Sequence, residues 1–280
     1  AIVAAGGLLV FTAVFATQAT APTSRADLQP TRMQAKTARN VVDLLDELHY
    51  EHRKLDDALS AQIFDRYLKD LDGQRLYFLA SDIQRFQPQR VSFDNALKRG
   101  EVKGAFDIFN RYQQRARERL QFVIAEIDKG VTKMDFTVTD DMEINREKAA
   151  WATTPAALDE LWRKRIKAAA LSLRLAGKTD AEIQKTLGKR YRSQLNTMMR
   201  TKSDDAFQVF MNSFSETYDP HTEYFSPRTQ ENFNINMSLS LEGIGAVLQS
   251  EDEFTKIVRL VPAGPADKGK QLKPGDRIVS

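Results

Sequence analysis

Two closely spaced glycines, in the stretch Gly243-Ile244-Gly245-Ala246, could bring an anion close to the polypeptide backbone. Glycine has no side chain to hold a ligand away, and it readily adopts positive φ angles. A loop of this kind can point successive backbone N–H groups at one carboxylate or phosphate.

The residues after this loop, Val247, Leu248 and Gln249, belong to a predicted β-strand. An extended peptide can pair with the free edge of such a strand. The loop and the strand could therefore form a peptide-binding site. Taken alone, however, a short Gly-x-Gly signal is weak and favours an ordinary glycine-containing hairpin.

The three histidines could act as bases or metal ligands. His49 and His52 are three residues apart on a predicted helix, but no clear third ligand is near them, so a solvated helix face is favoured. His221, in the turn Asp-Pro-His-Thr, could be catalytic, although a hydrogen-bonded turn histidine is more common. We therefore predict no metal site and no cofactor.

No complete active site can be recognised in the sequence. Thr222, Glu223 and Ser226 flank His221 without a Gly-x-Ser-x-Gly motif or another setting that activates a nucleophile. The chain has no cysteine, which excludes disulfides, thiol catalysis and cysteine-ligated metals. We predict no catalytic residue among these 280 residues.

The net charge of +3 does not favour nucleic acid as a partner. Four arginines, at positions 111, 115, 117 and 119, lie on a predicted helix whose other face is apolar. We expect them to form a solvated face, and we expect no nucleic-acid binding.

The elements that must position the loop are strands. Residues 238–249 and 254–262 are two predicted strands with a polar connection between them. A loop with one helical turn follows, and then Leu272-Lys273-Pro274-Gly275 starts a turn before another strand. Residues 238–280 are thus predicted to be β-rich.

The preceding region is predicted to be almost wholly helical from Thr37 to Tyr218. Apolar residues recur at helical spacing, and Thr154-Pro155 and the pair Thr179 and Glu182 mark helix starts. We predict a linker at 22–36 and a helical N-terminal domain at 37–237. The fold class is therefore a mainly α domain followed by a β-rich one.

The first segment, residues 1–21, resembles a secretory signal peptide that lacks its charged start. Residues 1–16 carry no charge, and small polar residues follow them. The apolar run is shorter than the ~20 residues needed to span a bilayer, so we favour cleavage over a membrane anchor. Membrane contact is expected only through this segment, if it is retained.

Both ends of the sequence lead us to expect a piece of a longer protein. The first residue is Ala1, and the strand that begins at Arg277 stops at Ser280. A strand needs a neighbour to pair with its backbone groups, so more chain is expected to follow.

In order and spacing, residues 243–280 resemble the first half of a PDZ domain. In that family a Gly-Leu-Gly-Phe-like loop binds a peptide's C-terminal carboxylate, and here Gly243, Ile244, Gly245 and Ala246 match it. Residues 247–249 match the peptide-pairing strand. Ala246 stands where the family usually has a large apolar residue, so the resemblance does not fix the shape of the pocket.

The whole chain resembles the tail-specific, carboxy-terminal processing serine peptidases of bacterial periplasms. The resemblance is carried by Asp219-Pro220-His221-Thr222, by Tyr224-Phe225-Ser226-Pro227 and by residues 237–245. It implies a periplasmic serine endopeptidase that acts on the C-terminal tails of proteins. It also implies a Ser/Lys dyad in an α/β core beyond Ser280, so that the catalytic core is absent from this chain.

The resemblance permits a periplasmic adaptor lipoprotein as a further partner. Two other functions stay open. One is a non-catalytic scaffold with a PDZ domain, and the other is a chymotrypsin-like protease with appended PDZ domains, whose catalytic domain would precede the PDZ domain. A serine and a lysine in peptidase-core motifs after Ser280 would distinguish the enzyme from the scaffold.

Overall fold

A computed structural model describes residues 26–238, 243–251 and 254–278 of the chain. Its longer helices are α1 (Arg32–Leu48), α2 (Asp57–Asp72), α5 (Lys103–Asp128), α6 (Pro155–Leu175), α7 (Asp180–Met199), α8 (Ser203–Ser215) and α9 (Pro227–Met237). Its short helices are α3 (Ala80–Phe86), α4 (Phe93–Arg99) and α10 (Pro265–Gly269), and its strands are β1 (Ala246–Glu251), β2 (Phe254–Leu260) and β3 (Arg277–Ile278). Within these described ranges, no helix is both long and apolar enough to cross a membrane.

The mainly helical character predicted for the chain is confirmed, but the first helix starts earlier than expected. Helix α1 begins at Arg32, inside the segment predicted as a linker. Thr31 and Gln34 form a reciprocal capping box: the Thr31 hydroxyl accepts the Gln34 N–H, and the Gln34 side chain accepts the Thr31 N–H. These two bonds satisfy backbone donors that a helix start otherwise leaves free.

One apolar core lies among α1, α2, α4, α8 and the first half of α5. Aromatic side chains fill its centre, where the rings of Phe93 and Tyr67 lie 5.0 and 5.3 Å from the ring of Phe210. The Tyr67 hydroxyl donates a 3.1 Å hydrogen bond to the carbonyl of Ala105. This bond ties α2 to α5 and satisfies a polar group that would be costly to bury alone.

A second apolar core forms where α6 and α7 pack against the other half of α5. Ile127, Ile166 and Leu187, one from each helix, are almost completely buried in it. Trp162 is also buried, and its indole N–H donates to the carbonyl of Leu76 over 2.8 Å. Helix α5 therefore contributes to both cores.

The arginines of α5 do not form the simple solvated face expected from the sequence. Arg111 and Arg115 donate hydrogen bonds of 2.7 and 2.8 Å to the carboxylate of Asp82, which is buried at the start of α3. Arg119 is itself buried and pairs with Asp159. The prediction of a solvated face was therefore wrong for these three arginines, because partners distant in sequence cover them.

The β-rich segment is a three-stranded antiparallel sheet in the order β1-β2-β3. The predicted strand at 238–249 is observed only from Ala246, because Ser238 ends α9 and residues 239–242 lie outside the described residues. Strand β1 also continues to Glu251, into the stretch predicted as a polar connection. The register skips Val258, which forms a β-bulge opposite β1.

Candidate functional site

The glycine loop ahead of β1 has the backbone geometry that only glycine adopts easily. Gly245 has a φ angle of +72°. A Cβ atom at this position would lie 3.0 Å from Cδ of Pro265 and 3.1 Å from Cα of Gly264. Both the positive φ angle and this close approach therefore require glycine at position 245.

The loop is fixed to the segment that leads into α10. The N–H of Val261 donates to the carbonyl of Gly245 over 2.8 Å, and the N–H of Ala266 donates to the carbonyl of Ile244 over 2.9 Å. The N–H groups of Ile244 and Gly245, in contrast, have no acceptor among the described residues. Among the described residues these carbonyls are thus occupied while the two N–H groups are not, and N–H groups of this kind can bind an anion.

Strand β1 lies at the edge of the sheet. Within the described ranges it pairs only with β2, so its second edge is not used by another strand. Residues 247–249, predicted to pair with a peptide, lie on this edge strand directly after the loop. An unpaired strand edge presents alternating N–H and C=O groups, so an extended peptide could add to the sheet here.

The side chains around the loop add apolar surface. Ile244 and Leu248 are exposed, whereas the smaller Ala246 is only partly exposed. The arrangement contains donors, a strand edge and apolar contacts, which are the components of a binding site. The predicted site residues Gly243, Ile244, Gly245 and Ala246 directly precede the predicted strand in the sequence, and their binding role stays a prediction.

The prediction that His49 lies on a solvated helix face was wrong. Its side chain is buried, and its Nε2 lies 3.2 Å from the Thr222 hydroxyl and 3.7 Å from a carboxylate oxygen of Asp219. Helix α1 ends at Leu48, so His52 is not on the helix, and its φ angle of +45° places it in a turn. The two histidines thus do not share a helix face.

The Asp-Pro-His-Thr turn is organised by Asp219. Its carboxylate accepts a 2.6 Å hydrogen bond from the Thr222 hydroxyl and a 3.0 Å bond from the His221 N–H. These bonds lower the pKa of Asp219, because they stabilise its charged form. The turn histidine therefore takes part through its backbone, as an Asx-type turn requires.

The helical region also matches a known protein family. Residues 41–228 match the family model described as the tail-specific protease N-terminal domain. The chain belongs to the tail-specific protease family. A tail-specific protease of Haemophilus influenzae is 42% identical to it over 236 residues, which is 84% of this chain and 34% of the relative. The chain thus spans about a third of the length of the curated relative that it matches.

Of the two features described above, the matched family model covers one and not the other. The contact between His49 and the turn at Asp219 lies inside the matched tail-specific protease N-terminal domain, whereas the glycine loop follows it. Within the part of the chain that the structure describes, no group of three or more His, Asp or Glu side chains could hold a metal ion.

Sequence reasoning missed the contact between the end of α1 and this turn. His49 and Thr222 are 173 positions apart, so no local pattern indicates that they meet. The sequence did offer one signal that His49 is buried, because this residue directly follows the apolar side of helix α1. A residue that continues a buried stripe is a candidate for burial even when it is polar.

Proposed function

We propose that the protein is the substrate-recognising part of a tail-specific serine endopeptidase. In this proposal residues 243–246 bind the C-terminal carboxylate of a protein substrate, and residues 247–249 pair with its tail. The segment from residue 238 onward would then be the first half of a PDZ domain, after a helical domain at 37–237.

The observation that carries this proposal is the backbone of the glycine loop. Within the described ranges, two N–H groups that have no acceptor lie next to a strand edge that pairs with no other strand. A C-terminal peptide offers the complementary groups, namely a carboxylate for the N–H donors and an extended backbone for the strand. An internal peptide segment has no terminal carboxylate, so it could pair with the strand edge but could not bind the N–H donors of the loop through a carboxylate.

We propose further that peptide cleavage uses a Ser/Lys dyad outside residues 1–280. In such a dyad a lysine acts as the base that activates the serine hydroxyl. This part of the proposal rests on the family membership. The helical domain and the glycine loop would serve to deliver a tail to that dyad.

A titration of the full-length protein with matched peptides tests the recognition step. We expect a peptide with a free C-terminal carboxylate to bind at least 10-fold more tightly than its C-terminal amide. The amide lacks the charge that the loop donors bind, and hydrogen bonds to charged groups contribute about 1.5–3 kcal/mol. Equal affinities for the two peptides would contradict the role of the loop.

The proposed location is the periplasm, after removal of the N-terminal segment. The mature protein is then expected to begin between Thr17 and Thr23. N-terminal sequencing of the native protein measures this directly. A retained apolar segment would instead indicate a membrane-anchored protein, and co-purification from the periplasm would reveal an adaptor lipoprotein if one is used.

A further inference from the structure

The segment ahead of α1 crosses helix α5. Residues 26–30, which we call the N-terminal strap, form neither helix nor strand. The side-chain amide of Asn110 on α5 donates to the carbonyl of Leu28 over 2.9 Å and accepts the Leu28 N–H over 2.9 Å. These are the two hydrogen bonds that a neighbouring β-strand would make to Leu28. Helix α5 thus binds polypeptide main chain through a side-chain amide.

Two cavities lie beside the strap and adjoin each other along α5. One, of about 280 Å³, lies between the strap, α5 and the end of α7, and the other, of about 330 Å³, lies between the strap, α5 and α3. Asp27, Asn110 and Gln114 line both cavities, so the two form one groove, which we call the amide groove. Its α5 wall extends from Lys103 to Arg117, which is about 21 Å. An extended chain of about six residues has this length.

Two glutamines of the amide groove have side-chain atoms without partners. Gln113 lines the first cavity and Gln89 lines the second. Among the described residues, Gln113 Nε2 and Gln89 Oε1 are buried and have no hydrogen-bond partner. Unpaired buried polar atoms are unfavourable. A ligand in the groove could supply both partners once the side-chain amides rotate towards it, namely an acceptor for Gln113 and a donor for Gln89.

The lining of the amide groove favours a neutral ligand that carries both donors and acceptors. A polypeptide main chain offers one N–H and one C=O at nearly every residue. A polyanion is disfavoured, because Asp27 and Asp107 also line the groove and Lys103 is paired with Asp107. The ring of Phe86 is buried, so it cannot stack on a nucleic-acid base.

We propose that the amide groove binds an extended stretch of unfolded polypeptide through its main chain. Gln113 would donate to a carbonyl of this stretch and Gln89 would accept an N–H, as Asn110 does with the strap. The stretch would belong to a protein substrate, and this source of the polypeptide rests on the proposed function. Because main-chain groups recur at every residue, binding would depend little on the substrate's sequence. It would also need no C-terminal carboxylate.

The test is a fluorescence-polarisation titration of the full-length protein with a short labelled peptide whose two ends are blocked by acetyl and amide groups. The peptide then has no terminal carboxylate for the glycine loop. The double variant Gln89→Leu, Gln113→Leu should bind it at least about 10-fold more weakly, since each lost hydrogen bond corresponds to about a fivefold factor. A peptide with methyl groups on its main-chain nitrogens should also bind more weakly to the wild type.

The control variant Gln121→Leu, Gln184→Leu changes two glutamines that line neither cavity, and it should retain wild-type affinity. Equal losses in the two double variants would overturn the proposal. Binding that appears only after deletion of the residues before Ala26 would overturn it too, because the protein's own chain would then fill the groove.

A third variant separates this proposal from the proposed function. Gly245→Val should bind the blocked peptide as the wild type does. If Gly245→Val weakened this binding while Gln89→Leu, Gln113→Leu did not, the peptide would bind at the edge of β1 and the amide groove would be excluded. If only the groove variant weakened it, while free-acid and amidated peptides bound equally, the groove would be supported and the role of the glycine loop would fail.

Discussion

The variant Gly245→Val is expected to bind peptides with a free C-terminal carboxylate at least 10-fold more weakly than the wild-type protein. A β-branched residue is strained at a φ angle of +72°, and its Cβ would lie within 3.2 Å of atoms of both Gly264 and Pro265. The loop must therefore shift. The shift would move the N–H groups that we propose as the carboxylate donors.

The matched control for this experiment is Gly269→Ala in α10, outside the proposed binding site. Among the described residues, no atom lies within 4 Å of a Cβ built at Gly269, and its φ angle is not in the positive region. The control should therefore retain most of the wild-type affinity. Titration of the full-length variants with free-acid and amidated peptides measures both effects. If Gly245→Val bound both peptides as the wild type does, the loop would not be the carboxylate site.

The largest loss of stability is expected from Asp82→Ala. This carboxylate is almost fully buried, and it accepts hydrogen bonds from Arg111, from Arg115 and from the N–H of Leu79. Removing one side of a buried ion pair costs about 3–5 kcal/mol. The lower end of this range is expected here, because Arg115 keeps its ion pair with Glu118 and Arg111 is 25% exposed. Urea denaturation of the wild type and the variant measures the free energy of unfolding.

The pair of Asp65 with Arg90 provides the control. Asp65 is exposed and Arg90 is partly exposed, and the guanidinium donates three hydrogen bonds of 2.8, 2.9 and 3.0 Å to the carboxylate. Exposed pairs contribute about 0–1 kcal/mol, so Asp65→Ala should have a small effect. Similar losses for Asp65→Ala and Asp82→Ala would mean that burial does not decide the contribution of Asp82.

The stability from Asp82 should also depend on pH. Burial tends to raise its pKa, but hydrogen bonds from Arg115, Leu79 and Arg111 outweigh burial and lower it. Because the pKa is lower in the folded state, this contribution is present above the unfolded pKa of about 3.9 and is lost as the pH falls further. The difference between wild type and Asp82→Ala should therefore shrink in acid.

Local signals predicted the parts of the fold that depend on neighbouring residues. The helix starts at Thr154-Pro155 and at Thr179 with Glu182 are observed, because caps act within one turn. The start of α1 was missed, although Thr31 and Gln34 form the same kind of signal, because the proline-containing segment around them indicated a linker.

Contacts between distant residues could not be predicted in this way. The arginines of α5 have the spacing of a solvated helix face, and only the folded chain brings Asp82 to them. The same limit applies to the candidate site. The glycines and the strand were predicted from sequence. The hydrogen bonds that Val261 and Ala266 donate to the loop were not predicted, because they depend on the path of the chain after β2.

Helix α5 has a mechanical consequence for the tail-specific protease N-terminal domain. Its 26 residues form a continuous rod about 39 Å long whose two halves are built into different apolar cores. A sharp kink between these cores would require breaking main-chain hydrogen bonds in the middle of the helix, and α5 contains no proline that would favour one. We therefore expect the two cores to move together rather than independently of each other.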